Sequence, residues 1–277
     1  MIKRYAVGVP EDCMRIKVDG LVIAVAREGR GPPVICLSAI GHGAGDFEPL
    51  VERMRGWAEI IRLDWPGHGR STEDHQALSP ERYASLLAAV LQQLKVDRPV
   101  IIGNSIGGAV AILYARDHPV RGLVLCDPGG LVAVTAPLRW LCNTMAAFFA
   151  AGARGAPWFG WAFCLYYRIL VLPQSAANPQ RARIIAAGSE MSSKLAEAWR
   201  GFGRPAADIR SIAWNLDVAV WFAWARSDRV IPLALCRGAI KRMRQAKLSL
   251  FRGGHSPFLE DPDAFAKALF DFIESTT

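Results

Sequence analysis

The sequence is poor in histidine, and its cysteines form no recognisable pattern. Of its 277 residues, five are histidine and six are cysteine. No two cysteines form a C-x-x-C pair or stand at the spacing of metal ligands, so the usual signatures of a zinc site and of a redox dithiol are both missing. Cys36 and Cys126 lie in apolar runs typical of buried strands, where a free thiol acts as a small hydrophobic residue. This usage indicates a reducing compartment, and a cytoplasmic location is predicted.

The sequence also lacks a long apolar run near residue 1, and its basic residues are not clustered. The segment MIKRYAVGVPEDC contains no stretch as apolar and as long as the core of a secretory signal, so no such signal is predicted. The net charge is +8, and 26 of the 33 basic residues are arginine. A basic chain can bind nucleic acid, but these arginines are scattered from Arg4 to Arg252. We therefore expect no nucleic-acid partner.

One stretch, WFGWAFCLYYRILVL at residues 158–172, is apolar enough to suggest a membrane. A membrane-spanning helix needs about 20 apolar residues, and this stretch is shorter and is interrupted by Arg168. The sequence thus predicts no membrane span, and a segment that packs over a pocket is the better interpretation.

Apolar runs and helical periods alternate along much of the chain. Asp19-Gly20 lies between two strand-like runs at 15–26 and predicts a hairpin. Ser79 and Pro80 form a strong helix start. This alternation predicts an α/β fold, with a mostly parallel sheet flanked by helices. Further strands are predicted at 33–39, 58–64, 99–104, 121–127, 218–225 and 246–254, and helices at 46–56, 79–94, 106–117, 233–244 and 262–274.

The alternation stops at residues 128–130 and resumes near residue 218. Residues 131–207 are mostly helix-like and rich in aromatic side chains. The chain is therefore predicted to have a core domain from residues 1–130 and 208–277, with a helical cap inserted at 131–207. We expect this cap to wall an apolar pocket.

Ser105 lies between Gly103 and Gly107, where a predicted strand meets a predicted helix. This G-x-S-x-G pattern is that of a nucleophile elbow, a tight turn that exposes a serine hydroxyl above the sheet. The alternative is a serine that only caps the helix, but a cap does not require glycine on both sides. The pattern therefore predicts that Ser105 is a nucleophile.

A serine nucleophile needs a base, and the base needs a carboxylate that orients it. His255 follows a predicted strand in the last part of the chain, and Asp228 follows the predicted strand at 218–225. Their order after Ser105 is the one expected for an elbow of this kind, although a loop histidine and a turn aspartate are the alternatives. Asp127 also ends a predicted strand, and we expect it to support the next turn through hydrogen bonds to nearby backbone.

Four motifs in order make the chain resemble the α/β-hydrolase superfamily over nearly its whole length. They read DWPGHGRS, GNSIGG, SDRVIP and GHSPFLEDP. The resemblance implies the α/β-hydrolase fold with a helical cap, and it implies Ser105 as nucleophile, His255 as base and Asp228 as acid. It implies no cofactor and no metal.

The chain departs from the usual pattern of that family in the loop after VICL. Where the family usually has His-Gly, this chain has Ser38-Ala39, although the loop length matches. The resemblance then implies that the backbone N–H groups of Ile40 and Ile106 form the oxyanion hole, because a main-chain donor tolerates a changed side chain. A His-Gly displaced to residues 42–43 is the alternative, and the matching length argues against it. A similar serine-containing loop occurs among enol-lactone hydrolases.

The predicted function is cleavage of carboxylic esters or lactones of small apolar substrates. A serine rather than an aspartate at position 105 argues against haloalkane dehalogenases and most epoxide hydrolases. Carbon–carbon hydrolases of meta-cleavage products share the GNS-x-GG elbow and DPGGL at 127–131, but they usually carry tryptophan where this chain has Ser256. GHSPFLEDP is closer to carboxylesterases, including the carrier-protein methyl esterase of biotin synthesis.

The sequence leaves alternatives open for the function and for the oligomeric state. Both the carbon–carbon hydrolase and the carrier-protein methyl esterase are alternative functions, and a non-catalytic receptor on the same fold is an alternative of another class. The basic residues are not concentrated in the cap, as docking of an acidic carrier protein would favour. Whether the chain forms a homodimer is also open.

Overall fold

The computed structural model describes residues 7–276 and has an eight-stranded sheet at its centre. Residues 1–6, on which part of the signal-peptide prediction falls, and residue 277 lie outside the described residues. In chain order the strands are β1 (Met14–Val18), β2 (Leu21–Gly29), β3 (Pro33–Leu37), β4 (Glu59–Leu63), β5 (Val100–Asn104), β6 (Gly122–Cys126), β7 (Val220–Ala225) and β8 (Ala246–Phe251).

The sheet is mostly parallel, as the sequence predicts. The strand order is β1-β2-β4-β3-β5-β6-β7-β8. β2 runs antiparallel to β1 and to β4, and the remaining neighbours are parallel. The predicted hairpin joins β1 to β2, with φ of 48° at Asp19 and 76° at Gly20. Two successive positive φ values match the twist of the two strands, which is why Asp-Gly is favoured there.

Helices alternate with the strands along the chain, as the sequence pattern predicts, and they flank the sheet. They are α1 (Glu48–Met54), α2 (Pro80–Leu94), α3 (Ile106–Asp117), α4 (Ala136–Ala153), α5 (Phe159–Tyr166), α6 (Asn178–Phe202), α7 (Arg210–Trp214), α8 (Leu233–Arg242), α9 (Pro257–Glu260) and α10 (Pro262–Ser275). α2 packs on α3, and α1 packs on α10. The predicted start of α2 is confirmed, because Ser79 Oγ accepts a hydrogen bond of 3.1 Å from the N–H of Arg82. The short helices α7 and α9 are not predicted.

The segment between β6 and β7 contains the helices α4, α5 and α6. α4 packs along α6, and aromatic rings fill the space between α4 and α5. Phe149 lies 6.2 Å from Phe163 and 5.9 Å from Tyr166, measured between ring centroids. Within residues 7–276, no helix combines the length and the hydrophobicity that a membrane crossing requires.

Parallel pairing brings the predicted site residues to one edge of the sheet. Register pairs join Leu37 to Gly103 and Asn104 to Cys126, so β3, β5 and β6 end at the same level. The chain leaves β5 at Ser105 and β6 at Asp127. Polar residues at this carboxyl edge are the ones that such sheets present to a ligand.

Two glycines beside Ser105 are required by the closeness of their neighbours. A Cβ atom on Gly103 would lie 2.3 Å from the carbonyl oxygen of Gly107, and one on Gly107 would lie 2.4 Å from the carbonyl oxygen of Leu37. Both neighbours are backbone atoms of the sheet and of α3, so they cannot move aside as a side chain can. Glycine therefore lets α3 pack against the ends of β3 and β5.

We expect Gly107→Ala to lower the free energy of unfolding by about 2 kcal/mol, because overpacking of a rigid site typically costs that much. Gly160→Ala is the matched control. Gly160 lies on α5, and a Cβ atom there would meet nothing within 4 Å. Urea unfolding of both variants measures the difference, and equal stability of the two would contradict the packing account.

Candidate active site

Ser105 lies on a strained turn between β5 and α3. Its backbone has φ of 55° and ψ of −117°, a region that residues other than glycine rarely adopt and that is typical of functional sites. The turn is fixed on both sides, because the N–H of Ser105 donates to the carbonyl of Cys126 at 3.1 Å and the carbonyl of Ser105 accepts from the N–H of Gly129 at 2.8 Å. Neighbouring strand ends thus hold the predicted nucleophile in place.

His255 and Asp228 form a buried pair. His255 Nδ1 lies 3.0 Å from Asp228 Oδ2. The other carboxylate oxygen, Asp228 Oδ1, accepts from the N–H groups of Val230 at 2.7 Å and Ile231 at 3.0 Å. These donors fix the carboxylate, which in turn fixes the imidazole ring with Nδ1 occupied. His255 Nε2 is the nitrogen that this arrangement leaves for proton transfer.

The loop that carries His255 is held by Glu260. One carboxylate oxygen, Oε2, accepts from the backbone N–H groups of Gly254 at 2.7 Å, His255 at 3.1 Å and Ser256 at 3.2 Å. Burial raises the pKa of Glu260, and the three backbone donors oppose that shift. Glu260 belongs to the quoted motif GHSPFLEDP, but no role is predicted for it from the sequence.

Asn104 ties the nucleophile strand to the histidine loop. Its Nδ2 donates to the carbonyl of His255 at 2.8 Å and to that of Cys126 at 3.1 Å. Its Oδ1 accepts from Ser256 Oγ at 3.0 Å. Asn104 is buried, and it thereby sets the height of His255 relative to Ser105. Sequence reasoning also missed this residue, which stands inside the quoted GNSIGG.

The loop after β3 is anchored by side chains of the loop after β4. Trp65 Nε1 donates to the carbonyl of Ser38 at 2.9 Å. The N–H of Gly41 donates to His68 Nε2 at 3.0 Å, and His68 Nδ1 lies 3.0 Å from the carbonyl of Pro66. Burial lowers the pKa of His68 to about 3. His68 is therefore neutral, and its Nε2 can accept the hydrogen bond that shapes the loop.

Ile40 and Ile106, the predicted main-chain donors, both line the cavity that contains Ser105 and His255. Within residues 7–276, the N–H of neither residue has a hydrogen-bond partner. Ser38 Oγ is buried and has no hydrogen-bond partner among residues 7–276. Ser38 does not line the cavity. The arrangement can thus offer two backbone donors to an oxygen atom in the cavity, with no help from Ser38.

A second buried histidine–aspartate pair lies beside the same cavity, and its histidine, His42, lines it. His42 Nδ1 lies 2.5 Å from Asp46 Oδ2, and Gln180 Nε2 donates to Asp46 Oδ1 at 2.6 Å. The ring of His42 lies 5.6 Å from that of Tyr167. Gln180 belongs to α6, so this pair connects the loop after β3 to the helical segment. From the sequence, His42 is considered only as part of a displaced His-Gly.

Asp127, for which hydrogen bonds to nearby backbone are predicted, is bonded to the backbone of the neighbouring strand. Asp127 Oδ1 accepts from the N–H of Ala225, at the end of β7, at 3.0 Å. Asp127 Oδ2 is buried and receives no hydrogen bond from a donor of the described residues. Burial, and then the negative charge of Asp228, raise the pKa of Asp127 well above its ordinary value. This shift favours the protonated form of Asp127, whose O–H could donate to Asp228.

Asp127, Asp228 and His255 are also the group whose donor atoms could hold a metal ion. One ligand atom of each lies within 4.8 Å of the others. His255 Nδ1 and Asp228 Oδ2 already bind each other, so a cation at this place would have to replace that hydrogen bond. A proton shared between the two carboxyl groups satisfies the same charges without breaking it.

The cavity above Ser105 is apolar and has a volume of about 220 Å³. The sheet domain contributes Ser105, His255 and the loop after β3, and the segment between β6 and β7 contributes most of the apolar wall. Six of these wall residues are Leu138, Leu141, Phe149, Tyr166, Leu195 and Trp199. An acyl or aryl group could be buried there beside the serine hydroxyl.

Known proteins resemble this chain in sequence and in structure. A model described as the alpha/beta hydrolase family matches residues 34–268. An uncharacterized protein of Mycobacterium tuberculosis is 25% identical over 94% of this chain and 80% of its own length. A pimeloyl-[acyl-carrier protein] methyl ester esterase of Stenotrophomonas maltophilia is 28% identical over 88% of this chain and 94% of its own length. The enol-lactonase of Burkholderia xenovorans superimposes with a TM-score of 0.80, at 18% identity, over 94% of this chain and all of that one.

The raised pKa of Asp127 predicts a pH-dependent stability. Above its ordinary pKa of 3.8, the carboxyl group is ionised in the unfolded chain but keeps its proton in the fold. Unfolding then releases a proton, so this group makes stability fall as pH rises, by about 1.4 kcal/mol per pH unit. An asparagine side chain at this position would be neutral in both states. We expect the stability of Asp127→Asn relative to the wild type to increase by about that amount per unit between about pH 5 and about pH 7.

Urea unfolding at several pH values measures this slope, and Asp117→Asn is the control. Asp117 is exposed and pairs with Arg116, which lowers the pKa of its carboxyl group. It is ionised in both states over this range, so its difference from the wild type should not change with pH. A flat difference for Asp127→Asn would mean that Asp127 is ionised in the fold.

Proposed function

This chain belongs to the alpha/beta hydrolase family, and we propose that it is a serine hydrolase that cleaves carboxylic esters or lactones of small apolar substrates. One observation carries the proposal: Ser105, on a strained strand-to-helix turn, and His255, which is paired with the buried Asp228, line the same apolar cavity. A positive φ at a serine is costly, and a fold retains it where the exposed hydroxyl has a use. The order of the three residues along the chain is also that of the family's catalytic residues.

The proposed reaction proceeds through an acyl-enzyme. Ser105 Oγ attacks the substrate carbonyl carbon while His255 Nε2 takes its proton, and Asp228 stabilises the imidazolium that forms. The N–H groups of Ile40 and Ile106 bind the oxyanion. His255 then gives its proton to the leaving alkoxide, which departs as an alcohol. Water, deprotonated by His255, attacks the ester on Ser105, and His255 then returns that proton to Ser105 Oγ as the carboxylic acid departs.

We assign the wall of the cavity to a cap domain. In this proposal residues 1–130 and 208–277 form the catalytic core, and residues 131–207 form a helical cap. The assignment is supported by the position of α4, α5 and α6 between two strands of the sheet and by their share of the cavity lining. The cap would bury the apolar part of the acyl group and select its size.

A second candidate is hydrolysis of a methyl ester carried by an acyl-carrier protein. It is favoured by the 28% identity to the Stenotrophomonas esterase over 255 residues. The enol-lactonase neighbour and the serine-containing loop at residues 38–42 support the lactone branch of the first proposal instead. A carbon–carbon hydrolase is less well supported, because Ser256 stands where those enzymes usually carry tryptophan. The Ser256 hydroxyl instead donates to Asn104 Oδ1.

The four buried, free cysteines suit a reducing, cytoplasmic location.

We expect a fluorophosphonate probe to label the wild-type protein at Ser105, because the activated hydroxyl attacks phosphorus as it attacks a carbonyl. Ser105→Ala should abolish the labelling. Ser38→Ala is the matched control and should be labelled at the wild-type rate, since its hydroxyl is outside the cavity. Peptide mass spectrometry locates the adduct. Undiminished labelling of Ser105→Ala would overturn the assignment of the nucleophile.

We also expect kcat/KM to rise with acyl length from p-nitrophenyl acetate through butyrate to hexanoate. Each buried CH₂ contributes about 0.8 kcal/mol, so each should improve kcat/KM by up to about fourfold until the cavity is full. Leu195→Ser, which adds a polar group to the wall, should flatten the series. A maximum at acetate would contradict the apolar pocket. A ring-cleavage dienoate that reacts far faster than every ester would favour carbon–carbon cleavage.

A further inference from the structure

The helix α5 is apolar on two faces, and only one of them is covered. Phe159, Phe163 and Tyr167 point inward and are buried. The opposite side carries Trp158, Trp161, Leu165 and Ile169, at helical steps of three and four residues along α5 and the following π-helical turn. We call these four residues the tryptophan face. A helix that is apolar all round is normally buried or in contact with lipid.

The tryptophan face is open to solvent. Trp161 is 65% exposed and Ile169 is 52% exposed, and Trp158 and Leu165 are exposed as well. None of the four lines the cavity, so substrate binding does not account for them. Contiguous exposed apolar patches on soluble proteins mark interaction surfaces. Residues 158–172, which the sequence predicts to pack over a pocket, therefore also have an outer, solvent-exposed apolar side that neither the core nor the cavity covers.

The stretch of chain that contains α4 and α5, residues 128–189, carries charge of one sign. Residues 128–189 contain five arginines and no aspartate or glutamate. Three of these arginines, Arg139, Arg154 and Arg168, are exposed, and none of the three has an ion-pair partner within the described residues. Basic residues are not dense here, as the sequence already indicates. What distinguishes the segment is the absence of acidic residues to neutralise them.

The mouth of the cavity is apolar too. Leu141 and Leu235 line the cavity and are also exposed, at 42% and 57%. Trp140, next to Leu141 at the start of α4, is 70% exposed. Exposed apolar side chains are thus found at the cavity as well as on the outer side of α5.

We propose that this segment docks, without spanning, on the surface of an anionic lipid bilayer through the tryptophan face, Trp140 and the three unpaired arginines. Tryptophan is favoured at the boundary between headgroups and acyl chains, and arginine is attracted by anionic headgroups. An acidic protein would also attract the arginines, but its carboxylates would be desolvated against the tryptophan face. A bilayer can hold the tryptophan side chains at the level of the acyl chains and the arginine side chains at the level of the headgroups. Lipid-dissolved esters would then enter the cavity at Leu141.

The test is sedimentation of the full chain with vesicles of phosphatidylcholine alone and of phosphatidylcholine mixed with phosphatidylglycerol. The wild type should pellet with the mixed vesicles and much less with the neutral ones, and added salt should release it. Trp161→Ser with Ile169→Ser should lower the partition coefficient about tenfold or more. Arg154→Gln with Arg168→Gln should lower it about 25-fold, at about fivefold for each charge.

Trp57→Ser is the control, because Trp57 is 63% exposed but lies between α1 and β4, away from the helical segment. It should pellet like the wild type, and so should Ser105→Ala, so the result does not depend on the proposed chemistry. A blue shift of tryptophan fluorescence on adding mixed vesicles to the wild type provides a measurement that needs no variant.

Four results would overturn the proposal. The first is a wild-type protein that pellets no more with mixed vesicles than without vesicles. The second is equal pelleting of the wild type and the Trp161→Ser, Ile169→Ser variant. The third is that neither the wild type nor this variant binds vesicles, while sedimentation equilibrium shows a dimer for the wild type and a monomer for the variant. That result would assign the tryptophan face to a second copy of the chain. Binding of an acidic carrier protein without vesicle binding would likewise replace lipid as the partner.

Discussion

The left-handed backbone of Ser105 is the constraint around which the site is arranged. A serine at φ of 55° ends β5 and begins α3 within one residue. The turn exists only because Gly103 and Gly107 let backbone atoms approach to distances that a Cβ atom would prohibit. Its hydrogen bonds to Cys126 and Gly129 then tie it to the end of β6. The parallel register places the remaining groups of the site at the same edge of the sheet.

Charge inside this edge is balanced by hydrogen bonds and by a proton rather than by basic side chains. Asp228 is satisfied by two backbone donors and by His255. Glu260 is satisfied by three backbone donors of the histidine loop. Asp127 lacks such a set, and burial beside Asp228 raises the pKa of its carboxyl group, which favours the protonated form. The side chain that faces the imidazole is Asp228, which supplies the orienting group that a histidine acting as a base requires.

Much of the fold could be predicted because it is local in the sequence. Short apolar runs mark the parallel strands, Asp19-Gly20 marks the hairpin, and Ser79-Pro80 marks the start of α2. The role of Ser105 could be predicted for the same reason, since its two glycines and the strand and helix around it are adjacent to it in the sequence. The position of Asp127 was predicted, but its partner Ala225 was not, because the two lie 98 residues apart and meet only through the pairing of β6 with β7.

The rest of the site depends on contacts between distant segments. Asn104 and His255 are 151 residues apart, and Asp46 and Gln180 are 134 apart. No periodicity or spacing in one sequence reports such a pair. The outward side of α5 was missed for another reason, since an apolar run alone does not tell which of its faces the fold will cover.

The claim that His255 and Asp228 serve Ser105, with Asp127 as a neutral neighbour, is tested most directly by the kinetics of two single variants. The measurement is kcat/KM on one p-nitrophenyl ester for Asp228→Asn and Asp127→Asn. The account predicts a loss of about 10⁴-fold for Asp228→Asn, the size expected when the orienting carboxylate of such a triad is neutralised. Asp127→Asn, which only replaces one neutral group by another, should stay within a few-fold of the wild type. A far greater loss for Asp127→Asn than for Asp228→Asn would reverse the assignment.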